Sequence, residues 1–398
     1  MAWDCAARGR LAAVTIVAAT LSCNNPADDR DAGFVIRDPY AVAGEWYKAN
    51  LHMHSSHSDG TFAAGPLVQL YKDAGYALLA ITDHNQYGDQ DGGIVEQLQT
   101  DELHDWNGDG FTYANLVMGS GVEAYVRDWT RPRSSWMTDD WFRPPAVPIA
   151  EMPIVLPGFE ASYSYFGAHF GVLGHLPGPV QAPRPGFSWL DDVDRAAGFA
   201  FIAHPGPAHD TAADTSSDLE RLASTLPLAR FRGVEIVNGA RLTRAERAYA
   251  TGLWDALWAA GYEIWGLAND DSHTRPGVDT AFPFVAYNMV RCDDPTERGF
   301  LDALRTGAFY ASTGLQFVEF HVEGSQIEVF VPGAERIAFI GSRGVLLHEA
   351  LAERATYRVL GSEGYVRVEA VGDEVRAPLN TWRRAVWSQP IRILTKPD

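Results

Sequence analysis

Histidine and acidic residues recur in this chain at the ends of short hydrophobic runs, and this arrangement limits the fold more than any other feature. Seven of the twelve histidines lie in such segments. The segments span residues 50–60, 82–84, 158–160, 168–173, 203–205 and 271–273. Strands of an α/β barrel deliver their last residues to one common face, so side chains that are distant in sequence meet there. The pattern therefore predicts one pocket lined by imidazoles and carboxylates.

Imidazole nitrogens and carboxylate oxygens together are typical of a site for divalent cations. Imidazole suits zinc, iron and manganese, whereas carboxylates add negative charge and can bridge two ions. His52 and His54 are two residues apart on a predicted strand, so both side chains point to the same side. The sequence therefore predicts a metalloenzyme whose ligands come from several strands.

Strand and helix patterns alternate from residue 46 to about residue 313, which predicts parallel strands joined by crossover helices. The predicted strands are 46–51, 77–82, 153–158, 170–173, 199–203, 233–237 and 263–267. The predicted helices are 66–74, 190–197, 217–224, 243–260 and 297–306. Seven strands of this kind suggest a barrel. From residue 314 onward, strands alternate at short intervals, which predicts a small antiparallel β-sandwich domain over 314–398.

Residues 1–22 have the pattern of a secretory signal peptide, with Arg8 and Arg10 before an apolar run too short to span a bilayer. Cleavage before Cys23 would resemble bacterial lipoprotein processing and would provide a lipid anchor. An ordinary signal peptide, cut a few residues later, is the alternative. Residues 23–44 are predicted to be a tether. We therefore expect an exported protein, in the periplasm or at the cell surface.

Residues 85–152 form an insertion into the predicted barrel that is far longer than a usual connection. Four tryptophans recur in it, and they either hold the insertion together or stack on a substrate at the barrel mouth. Asp105, Asn107 and Asp109 match the first half of a calcium loop, but Leu116 stands where the glutamate ligand would be. A weak calcium site and a simple turn are therefore alternatives.

The net charge of −19 argues against a nucleic acid partner, because affinity for phosphate backbones comes from clustered lysine and arginine. The expected partner is a small-molecule ester. No long amphipathic or heptad segment indicates a particular oligomeric state.

The chain resembles the PHP family, the polymerase and histidinol phosphatase domains, in an ordered set of motifs between residues 46 and 313. The motifs are Ser58-Asp59-Gly60, Thr82-Asp83-His84, Gly158-Phe159-Glu160, Ala203-His204-Pro205 and Asp271-Ser272-His273. Segments 307–314 and 385–391 are similar to the secreted branch that includes carbaryl hydrolases. The resemblance implies a distorted seven-stranded (β/α) barrel of PHP type over residues 45–313. It also implies two or three ions of zinc, manganese or iron.

Carried onto this sequence, the resemblance implies three groups of ligands. The first ion would be held by His52, His54, Glu160 and Asp271. The second would be held by Glu160, His169 and His204, and the third by Asp59, His84 and His273. Glu160 and Asp271 would be the catalytic residues, which bridge the ions or activate water.

Several further residues have two interpretations. His175 is the alternative to His169, because both lie in one short segment. Asp83 is expected behind the ligands, where a carboxylate commonly orients an imidazole. The remaining candidates are either groups that assist proton transfer or anion binding, or ordinary surface residues: His57, His209, Arg241, Arg244 and Arg275.

The chemistry implied by such ions is hydrolysis, since a water molecule bound to divalent cations becomes a nucleophile near neutral pH. The first hypothesis is a hydrolase that uses this metal-activated water as a phosphoesterase on a small phosphate ester. The alternative is a carbamate or carboxyl ester hydrolase with the same metal site. A second alternative is a non-catalytic surface binding module that the metal stabilises.

Overall fold

The computed structural model describes residues 33–84, 153–165, 168–175, 187–205, 219–242, 248–273, 283–376 and 381–396, apart from residues 56, 57, 61, 63 and 221. Within these ranges the chain has a mixed α/β fold. The amino-terminal strands are β1 (Phe34–Arg37), β2 (Glu45–Asn50), β3 (Leu78–Ala80), β4 (Ile154–Leu156), β5 (Gly158–Tyr165), β6 (Ala168–Leu173), β7 (Phe199–Ala203), β8 (Gly233–Asn238), β9 (Trp265–Asn269), β10 (Tyr287–Cys292) and β11 (Phe309–Ser312).

The carboxy-terminal strands are β12 (Glu319–Glu323), β13 (Gln326–Phe330), β14 (Ala334–Gly341), β15 (Leu346–Ala350), β16 (Arg354–Arg358), β17 (Tyr365–Arg376), β18 (Thr381–Trp387) and β19 (Ile391–Thr395). The α-helices are α1 (Ala64–Asp73), α2 (Trp189–Arg195), α3 (Thr251–Ala259) and α4 (Glu297–Thr306). Among the described residues, no helix has both the length and the apolar character needed to cross a membrane.

The predicted parallel strands are present, with one exception. β2, β3 and β4 are parallel neighbours, and so are β7, β8 and β9. β5 and β6 instead form an antiparallel hairpin, and β6 is also antiparallel to β7. Two residues separate β5 from β6, which leaves no room for the crossover connection that parallel strands need. The prediction of a parallel strand is therefore wrong for β6, and β5 was not among the predicted strands.

The core lies along the central parallel strands. Every residue of β7 and of β8 is buried, as is typical of strands that are covered on both faces. Helix α4 covers one side through its buried residues Phe300, Leu301 and Leu304. Its ends follow from the sequence, because the Thr296 side chain accepts a hydrogen bond from the Gly299 N–H, and Gly307 adopts a left-handed conformation with φ of 79°.

The strands from β2 to β9 belong to two different hydrogen-bonded sheets. One sheet has the order β5-β6-β7-β8-β9, whereas β2, β3 and β4 belong to an eleven-stranded sheet. Isolated bridges connect the two sheets, between Met53 and Ser272 and between His84 and Glu160. Both bridges lie among the predicted ligands. The structure thus shows a mixed α/β fold, and closure into a seven-stranded barrel remains a prediction.

Five of the eight carboxy-terminal strands belong to the same sheet as β2, β3 and β4. β12, β13 and β16 form a separate antiparallel sheet, but β18 pairs with β11, which continues through β10 to β2. The predicted boundary at residue 314 therefore crosses a continuous sheet. Phe34–Arg37, predicted as part of the tether, is strand β1, and it pairs with β19 from Phe34↔Thr395 to Arg37↔Arg392.

Helix α3 begins later than the predicted helix 243–260. Tyr249 forms a bridge with Val237, and the Ala250 N–H donates to the Ile236 carbonyl at 2.9 Å. These contacts hold the backbone against β8, so the helix begins at Thr251. Residues 243–247 lie outside the described residues.

A buried ion pair fastens helix α3 to strand β17. Arg367 Nε lies 2.8 Å from Asp255 Oδ1, and its Nη2 lies 2.7 Å from Asp255 Oδ2. The Tyr365 hydroxyl donates to the same carboxylate at 2.8 Å. The two charged side chains are only 3% and 8% exposed. A pair with two parallel hydrogen bonds of this kind ties helix α3 to the carboxy-terminal sheet.

We expect Asp255→Ala to lower the free energy of unfolding by about 3–5 kcal/mol, because it leaves the Arg367 guanidinium buried without a counter-charge. Asp302→Ala is the matched control, since it removes an exposed partner of Arg298 in α4. The control should change stability by no more than about 1 kcal/mol. Chemical denaturation of both variants measures the difference, and equal losses would contradict a special role for the buried pair.

Candidate metal centre

The two histidines after β2 lie at the centre of the site, and both are fully buried. Backbone hydrogen bonds hold their loop against the segment after β9. The His54 N–H donates to the Ser272 carbonyl at 3.0 Å, and the Asp271 N–H donates to the His52 carbonyl at 2.9 Å. These bonds bring the first and the last predicted motifs of the barrel into direct contact.

Three side chains bring their donor atoms together here, those of His52, His54 and Asp271, and Glu160 lies next to them. His54 Nε2 lies 3.2 Å from His52 Nε2 and 3.1 Å from Asp271 Oδ1. His52 Nε2 lies 3.3 Å from Asp271 Oδ1 and 3.4 Å from Glu160 Oε1. Ligand atoms placed tetrahedrally at zinc distances are about 3.4 Å apart. The spacing of the His52, His54 and Asp271 donor atoms therefore fits a single cation, and Glu160 lies beside this group.

Glu160, which is fully buried on β5, reaches several imidazoles at once. Its Oε1 lies 2.8 Å from His169 Nδ1 and 2.9 Å from His204 Nε2. Its Oε2 lies 2.8 Å from His84 Nδ1, yet it makes no hydrogen bond. A buried carboxylate oxygen without a hydrogen bond is costly unless a cation compensates it. The donor set and this oxygen both fit divalent ions.

The third predicted group lies on the solvent side. Asp59 Oδ1 is 3.2 Å from His273 Nε2 and 3.5 Å from His84 Nε2. His54 Nδ1 lies 3.8 Å from the same oxygen. The Asp59 side chain is 42% exposed, whereas His52, His54 and Glu160 are fully buried. Asp59 is therefore the most exposed of the nine predicted ligands.

The structure brings all nine predicted ligands together, although their grouping differs from the one that the resemblance implies. Four groups of donors have spacings that could hold an ion: His54, Asp59, His84 and His273; His52, His54 and Asp271; His52, Glu160 and His204; and His84, Glu160 and His169. His52, His54, His84 and Glu160 are thus each shared between two groups. His169 and His204 contact the same oxygen of Glu160 but belong to different groups.

The alternative histidine is not part of the cluster. The His175 side chain is 60% exposed and lies 3.0 Å from Glu297. Among the arginine candidates, Arg241 lies at the site, and its Nη2 donates to His204 Nδ1 at 3.1 Å. The other predictions fall outside the described residues: His57, His209, Arg244, Arg275, Cys23, the calcium loop residues Asp105, Asn107 and Asp109, and the insertion 85–152.

Asp83 acts differently from the expectation that it orients an imidazole directly. Its carboxylate accepts hydrogen bonds from the Ser55 N–H at 2.8 Å, from the Ser55 hydroxyl at 2.5 Å and from the Ser58 hydroxyl at 2.6 Å. Ser58 Oγ in turn lies 3.4 Å from His54 Nδ1. Asp83 therefore shapes the loop that carries the ligands and reaches His54 through Ser58.

Two ligands have strained backbones. His204, after β7, and Asp271, after β9, have φ angles of 30° and 50°, which side chains other than glycine rarely adopt. Such conformations cost about 1–3 kcal/mol each and persist only where the surroundings impose them. The residue before Asp271 provides such surroundings: Asp270 accepts hydrogen bonds from the backbone N–H groups of Phe284, Val285 and Ala286 at 2.7–2.8 Å.

Sequence reasoning missed several buried polar residues around the ligands. Glu235, Asn238, Asn269 and Asp270 are at most 2% exposed. Glu235 lies in the middle of an apolar strand, where a charged residue is rare unless it is paired. This position in the strand could have indicated a role for Glu235. Asp270 lies next to the predicted ligand Asp271, and nothing in the sequence around it indicates a separate role.

Burial and neighbouring charges act in opposite directions on the acids of the cluster. Burial alone would raise the pKa of Glu160, but the imidazoles of His52, His169 and His204 hold that pKa well below its usual value. Burial would likewise raise the pKa of Asp271, and His52 is the main group that lowers it instead. Both carboxylates are therefore ionised near neutral pH, which is the state that binds cations.

We expect His52→Ala and Asp271→Ala each to lower the metal content of the purified protein, because each removes a donor from a buried group. His175→Ala is the matched control, since His175 was the alternative candidate and points to Glu297 instead. Elemental analysis after dialysis measures the number of ions per chain. Unchanged metal content in His52→Ala, or an equal loss in His175→Ala, would show that the site is misassigned.

The chain was also compared with known proteins. No family model matches it. It is 28% identical to the DNA polymerase/3'-5' exonuclease PolX of Bacillus subtilis over 161 residues, which cover 37% of this chain and 26% of that protein. The match thus spans about a quarter of the length of that relative.

The structural neighbours are PHP-like metal-dependent phosphoesterases and an amidohydrolase. A two-domain protein of Bacteroides vulgatus, described as containing a predicted PHP-like metal-dependent phosphoesterase, covers 89% of this chain and 96% of its own, with 15% identity and a TM-score of 0.39. A protein of Bifidobacterium adolescentis, described as a metal-dependent phosphoesterase, covers 66% and 98%, with 12% identity and a TM-score of 0.35. An amidohydrolase of Chromobacterium violaceum covers 58% and 89%, with 17% identity and a TM-score of 0.30.

Proposed function

We propose that this chain is a metal-dependent hydrolase that acts as a phosphoesterase on a small phosphate ester. The observation that carries the proposal is the position of Glu160. Its two carboxylate oxygens face imidazoles from different strands, Oε1 towards His169 and His204 and Oε2 towards His84. A buried carboxylate with metal-binding donors on both sides is suited to bridge two closely spaced cations, as two-metal hydrolysis requires.

The proposal includes two or three divalent ions of zinc, manganese or iron. When bound, such ions lower the pKa of a water molecule to near neutrality and neutralise charge on the ester oxygens. Glu160 and Asp271 are the residues that we assign to bridging the ions and orienting the water. Asp59, with its exposed carboxylate, would hold the ion on the side from which the substrate enters.

Two observations favour a phosphate ester as the substrate. Arg241 places a guanidinium beside the ligand His204, and the planar guanidinium matches a phosphate with two parallel hydrogen bonds. The relative from Bacillus subtilis is by its name an exonuclease, so it cleaves phosphodiester bonds. The charge of −19 makes a polymeric nucleic acid a poor substrate for this chain, and a small ester fits better.

The finer predictions belong to the same proposal. A PHP-type barrel of seven strands is supported by the parallel strands and by the two bridges that connect their sheets at the ligands. Export, with or without a lipid on Cys23, rests on the sequence of residues 1–23. The similarity to carbaryl hydrolases rests on segments 307–314 and 385–391 and supports the alternative of a carbamate or carboxyl ester.

The ester class can be tested on protein loaded with zinc, manganese or iron in turn. We expect turnover of a small phosphomonoester or phosphodiester, loss of turnover with a chelator, and recovery when the same metal returns. An aryl carboxyl ester and an aryl carbamate are measured alongside. Faster turnover of either would replace the phosphoesterase by the alternative, and inactivity on all four with metal bound would support a binding module.

We expect Glu160→Gln to reduce kcat for the best ester by at least about 100-fold, which corresponds to about 2.7 kcal/mol. The amide keeps the size of the side chain but loses the charge that lets one group serve two cations. His175→Gln provides the matched control because its side chain lies outside the cluster. A Glu160→Gln protein with the kcat of the control would remove the bridging role.

A further inference from the structure

Glu235 is a buried carboxylate that belongs to none of the donor groups, yet it contacts ligands of two of them. It lies in the middle of β8 and is 1% exposed. Its Oε1 lies 2.7 Å from His52 Nδ1 and accepts from Asn269 Nδ2 at 2.9 Å. Its Oε2 accepts from the His204 N–H at 2.7 Å and from Asn238 Nδ2 at 3.0 Å. Each oxygen thus has two partners, which fills the capacity of an ionised carboxylate.

The contact with His52 fixes which ring nitrogen faces the cluster. A carboxylate accepts hydrogen bonds and does not donate them, so Nδ1 must carry the hydrogen. The lone pair of the neutral ring then lies on Nε2, the atom that is 3.3 Å from Asp271 Oδ1 and 3.4 Å from Glu160 Oε1. An imidazole held in this way is both oriented and made more basic.

The contact with His204 acts on the backbone. The φ angle of His204 is 30°, a conformation that needs support from its surroundings. The charged hydrogen bond from its N–H to Glu235 is short, at 2.7 Å, and comes from the neighbouring strand. Glu235 therefore helps to hold the turn that points His204 Nε2 at Glu160.

Asn238 extends the same network to a third ligand. Its amide nitrogen donates both to Glu235 Oε2 at 3.0 Å and to Asp271 Oδ2 at 3.2 Å. Asp271 also has a left-handed backbone, with φ of 50°. One buried carboxylate and one amide thus contact His52, His204 and Asp271, which come from three different parts of the chain.

We infer that Glu235, acting through Asn238, is a positioning residue that sets the geometry of His52, His204 and Asp271 together. The inference rests on the proposed function only in assuming that this cluster binds divalent ions. Because the three ligands belong to two of the donor groups, loss of the Glu235 charge weakens binding of more than one ion. A residue that served only His204 or only Asp271 would affect a single ion, because each of these ligands belongs to one donor group.

The test compares Glu235→Gln with Glu363→Gln. Glu363 is also a buried carboxylate, but it accepts from the Tyr357 hydroxyl and from the backbone of Leu360 and Gly361, away from the ligands. Titration of the metal-free proteins with zinc against a competing chelator gives the affinity for each ion. We expect Glu235→Gln to weaken binding of at least two ions by about 10- to 100-fold. We expect Glu363→Gln to leave all affinities unchanged.

A second readout separates positioning from a general loss of structure. In the zinc-loaded protein, ¹⁵N signals of the imidazole report whether His52 binds the ion through Nε2 and keeps the hydrogen on Nδ1. We expect this Nδ1–H form in the parent protein and in Glu363→Gln, and a mixture of binding through Nε2 and through Nδ1 in Glu235→Gln. Both measurements are made without substrate, so they remain decisive even if no ester is hydrolysed.

The inference is overturned if Glu235→Gln binds every ion as tightly as the parent, or if Glu363→Gln weakens binding equally. If Glu235→Gln does not fold, Asn238→Ala carries the test. This variant keeps the contact between Glu235 and His52 but removes the hydrogen bond to Asp271. It should weaken metal binding and leave the His52 Nδ1–H form intact, and unchanged affinities in Asn238→Ala would then overturn the inference.

Discussion

The structure depends on the concentration of ionisable groups in a space that excludes water. Carboxylates and imidazoles without solvent are unfavourable unless each charge meets a partner, and an uncompensated buried charge can destabilise a domain by several kcal/mol. Here the partners are arranged in layers: imidazoles around Glu160, a carboxylate and amides behind the imidazoles, and backbone N–H groups behind Asp270. The strained turns at His204 and Asp271 are tolerable because these layers over-determine them.

Much of the site could be predicted from the sequence because strands simplify the geometry. A histidine or an acid at the end of a strand has few directions in which to point, so the pattern predicted one pocket. The set of nine donors came from the resemblance to the PHP family. The choice between His169 and His175 was not decidable in this way. It depends on where β6 begins and ends: His169 lies near its start, whereas His175 lies beyond its last residue.

The parts that escaped prediction depend on partners that are distant in sequence. The β5–β6 hairpin is antiparallel, whereas β2, β3 and β4 run parallel to one another, as do β7, β8 and β9. Residues 34–37 form strand β1 because they pair with β19, at the other end of the chain. Glu235 looked like one acid inside an apolar strand, and its importance appears only when His52, Asn238, His204 and Asn269 surround it. The carboxy-terminal strands were predicted from their alternating pattern. Their connection to the sheet of β2 through the pairing of β11 with β18 could not be predicted, because no short stretch of sequence indicates it.

The hairpin of β5 and β6 has a consequence for how the donor set assembles. Glu160 and His169 are nine residues apart, whereas His54 and Asp271 are 217 residues apart. The entropy lost when a chain loop closes grows with the length of that loop, so the first pair requires far less ordering than the second. During folding, the contact between Glu160 and His169 can therefore form on the hairpin before the remaining strands dock, whereas the contact between His54 and Asp271 requires the ends of β2 and β9 to meet first.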